Sequence, residues 1–225
     1  MRPRTIRTVP ARRSGTFRRV TGPRRLSQAI SEGDGISVIP VLEGEIEKLA
    51  ALAEKAGAEG IAVHAADIAR ARATTGLPIL ARDGDPAVVL DAGGDALVVE
   101  FRAAESEGKL EQLYARAFDL GLDCAVEVRE EDELEEALER VDPEVVLISE
   151  AGLDDDEEHL ERTLDLLADV PAGKLVVSEA WIESREQVLA LERAGVDAIL
   201  IHGLAREPEF EALLEELVRG PEARH

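Results

Sequence analysis

The sequence predicts a compact (β/α)8 TIM barrel, and three observations point to this fold. Short, continuously apolar runs alternate along the chain with segments whose apolar residues recur at helical spacing. Strands that are apolar on both faces and joined by helices are buried and parallel, with right-handed crossovers. Eight such strand and helix units can be counted, which is the number that closes a barrel.

A repeated pattern of a glycine, an acidic residue and an apolar run marks where predicted helices give way to strands. It occurs at 56–60, 92–96, 120–124 and 194–198. The predicted strands are 36–42, 60–64, 77–81, 96–101, 124–128, 145–149, 175–179 and 198–201. A short helix at 26–31 is expected to cap the bottom of the barrel, and a last helix is predicted at 207–219. The alternative is an open doubly wound sheet, but no Gly-x-Gly-x-x-Gly pattern follows the first strand.

Composition favours one domain with an aliphatic core. Of the 225 residues, 45% are hydrophobic and only 3% are aromatic, so Val, Ile, Leu and Ala must fill the interior. The chain lacks an apolar run of the roughly 20 residues that span a bilayer, and its start lacks the apolar centre of a signal peptide. We therefore expect a cytoplasmic protein with no membrane partner. The single cysteine, Cys124, lies inside a predicted strand and is interpreted as a packed thiol.

Charge divides the chain into two unequal parts. The formal net charge is -22, yet residues 1–25 contain nine arginines and no acidic residue. The composition of 1–25 predicts a basic, disordered tail, and 26–225 is predicted to form the single barrel. Because the barrel is strongly acidic, we expect no nucleic-acid partner for it. For the tail, three interpretations stay open, which are contact with nucleic acid, contact with the acidic barrel, and a spurious upstream start.

Charged residues near the ends of three predicted strands are expected to share one mouth of the barrel, because barrel active sites lie at the carboxyl ends of the strands. Period-two alternation in the strand 124–128 directs Glu127 inward, and in the strand 175–179 it directs Glu179 inward. Arg82 directly follows the third strand. These three residues are the candidate catalytic groups.

Three segments resemble the indole-3-glycerol phosphate synthase family, the ribulose-phosphate-binding barrel of tryptophan biosynthesis. Residues 177–182, Val-Ser-Glu-Ala-Trp-Ile, are similar to the family's Val-Ser-Glu-Ser-Gly-Ile, and 126–128 match its Val-Glu-Val. Residues 78–83, Pro-Ile-Leu-Ala-Arg-Asp, are similar to its Pro-Val-Leu-Arg-Lys-Asp. The resemblance covers most of 36–219. It implies a carboxy-lyase that closes the ring of a phosphorylated anilino-deoxyribulose, losing carbon dioxide and water, with no metal or organic cofactor.

The resemblance also implies roles for particular residues. Glu127 takes the place of the general base, and Glu179 that of a substrate-binding and catalytic glutamate. Arg82 stands where the family has a general-acid lysine, although a guanidinium donates hydrogen bonds without releasing its proton. Trp181, His202 and Gly203 stand in the loops that bind substrate, where the family has small residues around the phosphate.

Other departures keep several functions open. Val41 and Glu43 replace a glutamate and a lysine of the family, the loop after the first strand is short, and Ser-Glu-Ala at 149–151 replaces Asn-x-Arg. The alternatives to a divergent synthase are a non-catalytic or regulatory paralogue docked to another tryptophan-pathway enzyme, and a barrel enzyme with a changed substrate that uses Glu100 and Glu150.

The singled-out residues also have simpler interpretations. Glu127 and Glu179 would then be solvated carboxylates at the rim, and Arg82 would neutralise a crowded acidic mouth. His64 and His202, at the ends of strands on either side of the first, raise the alternative of a metal site, but they lack a tight ligand motif. Trp181 is interpreted as a lid or a stacking platform for an aromatic ring.

Overall fold

Eight parallel strands form one continuous sheet in the computed structural model, which describes residues 24–33, 35–104, 108–149, 156–182 and 184–219. The strands are β1 Ser37–Pro40, β2 Ile61–Val63, β3 Ile79–Ala81, β4 Ala96–Glu100, β5 Asp123–Val128, β6 Val145–Ile148, β7 Leu175–Ala180 and β8 Ala198–Ile201. Their order is β1-β8-β7-β6-β5-β4-β3-β2. The isolated bridge between Val41 and Ala62 joins β1 to β2, which confirms the predicted (β/α)8 barrel.

Nine helices are described, one before the first strand and at least one after each strand. They are α1 Arg25–Glu32, α2 Ile46–Ala56, α3 Ile68–Arg72, α4 Pro86–Asp91, α5 Lys109–Leu120, α6 Glu131–Arg140, α7 Asp156–Asp169, α8 Arg185–Ala194 and α9 Phe210–Arg219. The last helix begins three residues later than predicted, and Leu204–Arg206 before it forms a 3-10 turn. In the described part of the chain, each helix is too short or too polar to cross a membrane. The predicted basic tail, apart from residues 24 and 25, lies outside the described residues, as does Glu150.

Buried side chains form two separate layers, as alternation along the strands predicts. Ala125 and Val177 belong to the cluster inside the barrel, whereas Val126 and Val128 belong to the cluster between the barrel and its helices. Cys124 also lies in the outer cluster, and its burial raises the pKa of its thiol to about 12, as expected for a packed, unreactive cysteine.

The repeated glycine and acidic residue close the bottom of the barrel. Gly57, Gly93, Gly121 and Gly195 have positive φ angles between 77° and 104°, so they terminate helices in a conformation that glycine adopts without strain. The acidic residue that follows accepts a hydrogen bond from a backbone N–H of a neighbouring element. The pairs are Glu59 with Val38, Asp95 with Ile79, Asp123 with Leu26 and Asp197 with Val176. Each carboxylate thus satisfies an N–H that otherwise lacks a partner.

Helix α1 plugs the bottom of the barrel and is anchored by Asp123 of β5. Leu26 and Ile30 are buried in the inner cluster. The Asp123 carboxylate accepts hydrogen bonds from the backbone N–H groups of Leu26 and Ser27, at 3.0 and 3.1 Å, and from the Ser27 hydroxyl at 2.8 Å. It therefore caps the helix in place of a residue of the helix itself.

Asp123→Asn is expected to lower the free energy of unfolding by about 2 kcal/mol, because a carboxamide has one acceptor oxygen where three donors converge. Denaturant unfolding measures the change. Asp119→Asn is the matched control, since Asp119 is exposed on α5. Equal midpoints for the two variants would contradict the anchoring role of Asp123.

Candidate active site

Glu179, at the carboxyl end of β7, collects three side chains from other strands. Arg82 Nη2 donates to Glu179 Oε1 over 2.6 Å, and His202 Nε2 lies 2.5 Å from the same oxygen. The hydroxyl of Ser149 donates to Oε2 over 2.6 Å. Because β3, β6 and β8 end at this mouth, the residues that follow them reach one carboxylate. We call these four residues the Glu179 cluster.

The cluster keeps Glu179 ionised. Its side chain is buried, and burial by itself raises the pKa of a carboxyl group. The hydrogen bonds from His202 and Ser149 and the positive charge of Arg82 outweigh burial and lower the pKa of Glu179 to about 2. At neutral pH the carboxylate therefore only accepts hydrogen bonds.

Glu127 forms a second charged pair on the inner face of β5. Its side chain is 5% exposed, and Arg129 donates to Oε1 from Nη2 over 2.8 Å and from Nε over 3.1 Å. The backbone N–H of Arg129 is held by Glu133, which also pairs with Arg102. Among the described residues, none donates a hydrogen bond to Glu127 Oε2, so this oxygen is the one available to a ligand.

The strand register places Glu127 and Glu179 in the same layer of the barrel. Glu127 pairs with Leu147 of β6, and Leu147 pairs with Val177 of β7, two residues before Glu179. Because the strands are tilted in a closed barrel, each step to a neighbouring strand shifts the height by about one residue, which offsets this difference. Arg129, two residues after Glu127, therefore lies closer to the mouth than either carboxylate. Both predicted carboxylates lie on the inner side of the barrel, but the described contacts pair Arg82 with Glu179 and Glu127 with Arg129.

Trp181, His202 and Gly203 lie together beside the Glu179 cluster. The rings of Trp181 and His202 have centroids 5.9 Å apart, and the Trp181 side chain is 52% exposed. With Leu213 and Leu217 of α9 they line a cavity of about 310 Å³. Glu207 and Glu216 also line this cavity and give it an acidic rim.

Gly203 lets Trp181 pack flat against the turn after β8. Its φ angle is +77°, and a Cβ atom at this position would lie 2.4 Å from Trp181 Cζ3. Only glycine meets both the backbone angle and the contact without a shift. The position of the indole ring therefore depends on the absence of a side chain at 203.

Gly203→Ala is expected to destabilise the protein by about 1–3 kcal/mol and to displace Trp181. Trp181 is the chain's one tryptophan, so its fluorescence emission reports the displacement directly. Gly173→Ala is the matched control, because Gly173 has a φ angle of +93° but no atom within 4 Å of the added Cβ. An unchanged emission spectrum in Gly203→Ala would contradict the packing described here.

Other charged residues at this end of the barrel are paired outside the Glu179 cluster. His64 Nδ1 lies 2.9 Å from Asp83 Oδ2, so His64 and His202 contact different carboxylates. Arg206 donates to Glu43 over 2.9 Å and lowers the pKa of that carboxyl group. Glu100 is exposed beside Glu127 in the sheet. The described residues contain no group of three or more His, Cys, Asp and Glu side chains placed to hold a metal ion.

The fold and the position of these side chains define the class of protein as a (β/α)8 barrel with a charged site at the carboxyl ends of its strands. Comparison with known sequences then identifies the family. The sequence profile of the family described as Indole-3-glycerol phosphate synthase matches residues 42–217. The chain belongs to this family.

Two bacterial proteins named indole-3-glycerol phosphate synthase show the extent of the similarity. The protein from Geobacillus sp. (strain WCH70) is 31% identical over 189 residues, which are 76% of this chain and 71% of the relative. The protein from Shouchella clausii (strain KSM-K16) is 32% identical over 164 residues, which are 71% of this chain and 63% of the relative. About two thirds of each relative's length is therefore matched.

Solved structures independently support the barrel fold. A mutant tryptophan synthase alpha-subunit from Pyrococcus furiosus superposes with a TM-score of 0.63 at 15% identity, covering 82% of this chain and 98% of that one. The aldolase QR15 superposes with a TM-score of 0.61 at 14% identity, covering 81% of this chain and 94% of that one. At such low identity the likeness concerns the fold alone.

Two site residues were not assigned a role by the sequence. Arg129 follows Glu127 by two residues and therefore shares its face of β5, so alternation was sufficient to find it. Ser149 stands at the end of the sixth predicted strand, but its hydrogen bond to Glu179 depends on the stagger between neighbouring strands. Period-two alternation gives the direction of a side chain and not its height in the barrel.

Proposed function

We propose that the chain is a carboxy-lyase of the indole-3-glycerol phosphate synthase type. The reaction closes the ring of 1-(2-carboxyphenylamino)-1-deoxyribulose 5-phosphate with loss of carbon dioxide and water. Family membership supports the reaction class. The observation that carries the proposal is the Glu179 cluster, which gathers an ionised carboxylate, a guanidinium and an imidazole at the barrel mouth.

Glu179 is proposed to orient the anilino nitrogen of the substrate. A carboxylate offers about four lone-pair positions, and Arg82, His202 and Ser149 use three of them. As far as the described residues are concerned, one position is left for an N–H of the substrate. Arg82, fixed by Glu179 and 25% exposed, can then donate a hydrogen bond to the ketose carbonyl and polarise it.

Glu127 is proposed as the base that removes a proton during dehydration. Arg129 holds Oε1, while Oε2 accepts no hydrogen bond from a described residue. A carboxylate with one anchored oxygen and one available oxygen is oriented for proton transfer. Glu127 lies two strands away from Glu179, which separates the position of the base from that of the group that binds nitrogen.

A turnover assay tests the proposal. Purified full-length chain is mixed with the carboxyphenylamino-deoxyribulose phosphate, and formation of the indole product is followed by its fluorescence at low and at molar salt. We expect turnover in the wild type and its loss in the Glu127→Gln, Glu179→Gln double variant. Absence of wild-type turnover at every salt concentration, or equal turnover in the double variant, would refute the proposal.

A family member with a changed substrate is the second candidate, and the cavity beside His202 favours it. This cavity lies at the loops after β7 and β8, where the resemblance places the phosphate, but its wall includes Glu207 and Glu216. Carboxylates oppose an anionic phosphate group. If this candidate is correct, the dephosphorylated substrate will show the higher kcat/KM, whereas a synthase of the usual type will prefer the phosphorylated one.

A further inference from the structure

The proposed reaction needs a proton donor that Arg82 does not supply. The carbonyl oxygen of the ketose must receive two protons before it leaves as water. Dehydration releases one proton from the neighbouring carbon, so each turnover takes up one further proton from solvent. A guanidinium stays protonated across the whole physiological range and is a poor source of protons. A second group at the mouth must therefore deliver them.

His202 is the described residue of the Glu179 cluster whose side chain can both donate and accept a proton, because an imidazole has two ring nitrogens and both a neutral and a cationic form. Its Nε2 lies 2.5 Å from Glu179 Oε1, and its side chain is 19% exposed. The ring is therefore held by the carboxylate but still reaches the space at the mouth. Contact with Trp181, at a centroid distance of 5.9 Å, restricts it from a second side.

The bond to Glu179 determines which ring nitrogen can exchange a proton. Since Glu179 is ionised, it accepts and does not donate, so Nε2 must carry a hydrogen in both the neutral and the cationic form of the ring. The proton that distinguishes the cationic from the neutral ring is therefore on Nδ1. No described residue forms a hydrogen bond with Nδ1. A carboxylate that fixes one nitrogen and leaves the other for chemistry is the arrangement of catalytic carboxylate and histidine pairs.

We propose that Glu179 and His202 form a carboxylate and imidazole dyad in which His202 Nδ1 is the general acid. This inference rests on the proposed ring closure and assigns its proton donor. His202 is a catalytic residue in this role, whereas Glu179 also positions it. Arg82 then acts only by polarising the carbonyl.

The proton movements balance as follows. The ring carbon that bears the carboxylate bonds to the carbonyl carbon, and the carbonyl oxygen takes a proton from Nδ1 to become a hydroxyl group. The bond to the carboxylate breaks, its electron pair returns to the ring, and carbon dioxide leaves. A second proton from Nδ1 makes the hydroxyl a leaving water, while Glu127 removes a proton from the adjacent carbon. Nδ1 is protonated again twice in each turnover, once by the proton that Glu127 releases and once by a proton from solvent.

Charged groups on several elements set the field at His202. Glu179 bonds the ring directly, and Arg82 shares the same carboxylate oxygen. Glu43 follows β1 and lies close to His202. A positive charge on the His202 ring contributes to lowering the pKa of the Glu43 carboxyl group. Glu207 and Glu216 line the cavity that His202 also lines. Arg206 in turn donates to Glu43, so Arg82 and Arg206 each pair with one of these four carboxylates.

His202→Gln tests the proton donor in kinetic assays. A glutamine retains an N–H that can reach Glu179 but does not titrate. We expect kcat to fall on the order of a hundredfold with little change in KM, and the decline of kcat at alkaline pH in the wild type to disappear. His64→Gln is the matched control, because His64 pairs with Asp83 instead. If His202→Gln has the same kcat and the same pH dependence as the wild type, the proposal is overturned.

Nitrogen NMR of histidine-labelled protein gives a readout that does not depend on turnover. The chain has four histidines, and the His202 signals are assigned by their loss in His202→Gln. We expect the neutral ring to carry its hydrogen on Nε2 and to titrate at Nδ1, with this preference reduced in Glu179→Gln. A neutral ring protonated on Nδ1 would overturn the dyad. If the wild type shows no turnover, the proposed function and the role of His202 as proton donor are both refuted. The NMR result still shows whether Glu179 and His202 form the dyad.

Discussion

Glu127→Gln is expected to lower kcat by roughly a thousandfold while KM changes little. The side chain is 5% exposed, so its replacement must keep its size, and glutamine does. The amide oxygen still accepts from Arg129, which preserves the local structure. The amide does not take up a proton, however, so only the proposed transfer at Oε2 is lost. Steady-state kinetics on the carboxyphenylamino-deoxyribulose phosphate measures the change.

Glu100→Gln is the matched control for this variant. Glu100 pairs with Glu127 in the register of β4 and β5, but its side chain is exposed. The same chemical change one strand away should leave kcat and KM close to those of the wild type. If the two variants lose equal activity, the effect comes from the charge of the mouth as a whole and not from proton transfer at Glu127.

The fold was predictable because its signals are local. Continuous apolar runs such as that of β8 gave the strands, and the glycine before each acidic residue gave the helix ends. The hydrogen bonds of the repeated carboxylates were not predictable, because their partners are distant in sequence. Asp123 anchors Leu26 and Ser27, about one hundred residues earlier in the chain (|i−j| = 97 and 96). Such pairings become visible only when the barrel is closed.

The site was predictable in direction but not in pairing. Alternation correctly directed Glu127 and Glu179 inward, because the pleat of a strand fixes which face a side chain takes. Which side chains reach each carboxylate depends on how neighbouring strands are staggered, and a single strand's sequence carries no information on stagger. Arg129, by contrast, shares the face of β5 that carries Glu127, so alternation alone was sufficient to find this partner.

The role of His202 depends on contacts between three strands. In the sequence it follows β8 and lies far from Arg82, so it was interpreted as a substrate-binding residue, with a metal ligand as the weaker alternative. The hydrogen bond to Glu179 favours an acid and base role, because it fixes one ring nitrogen and frees the other. Trp181 and Gly203 were expected in the substrate loops, and their mutual contact explains why a large ring fits at a turn that follows a barrel strand.

Acidification is expected to weaken the protein through Glu179. The folded protein lowers the pKa of this carboxyl group from its ordinary value of 4.5 to about 2. A lowered pKa stabilises the folded state above pH 4.5, and this contribution is lost as the pH falls from 4.5 towards 2. At about 1.4 kcal/mol per pKa unit, it amounts to about 3 kcal/mol. Glu179→Gln should therefore be less stable than the wild type by about this amount at pH 7 and equally stable near pH 2.

Denaturant unfolding of both proteins across this pH range measures the difference, and taking the difference removes the effect of the other carboxylates. Glu111→Gln is the matched control. Arg140 also lowers the pKa of Glu111 to about 2, but the side chain is 41% exposed on α5, where solvent screens the interaction. Its stability should follow that of the wild type at every pH. If Glu179→Gln behaved in the same way, the hydrogen bonds of the Glu179 cluster would not be formed in solution.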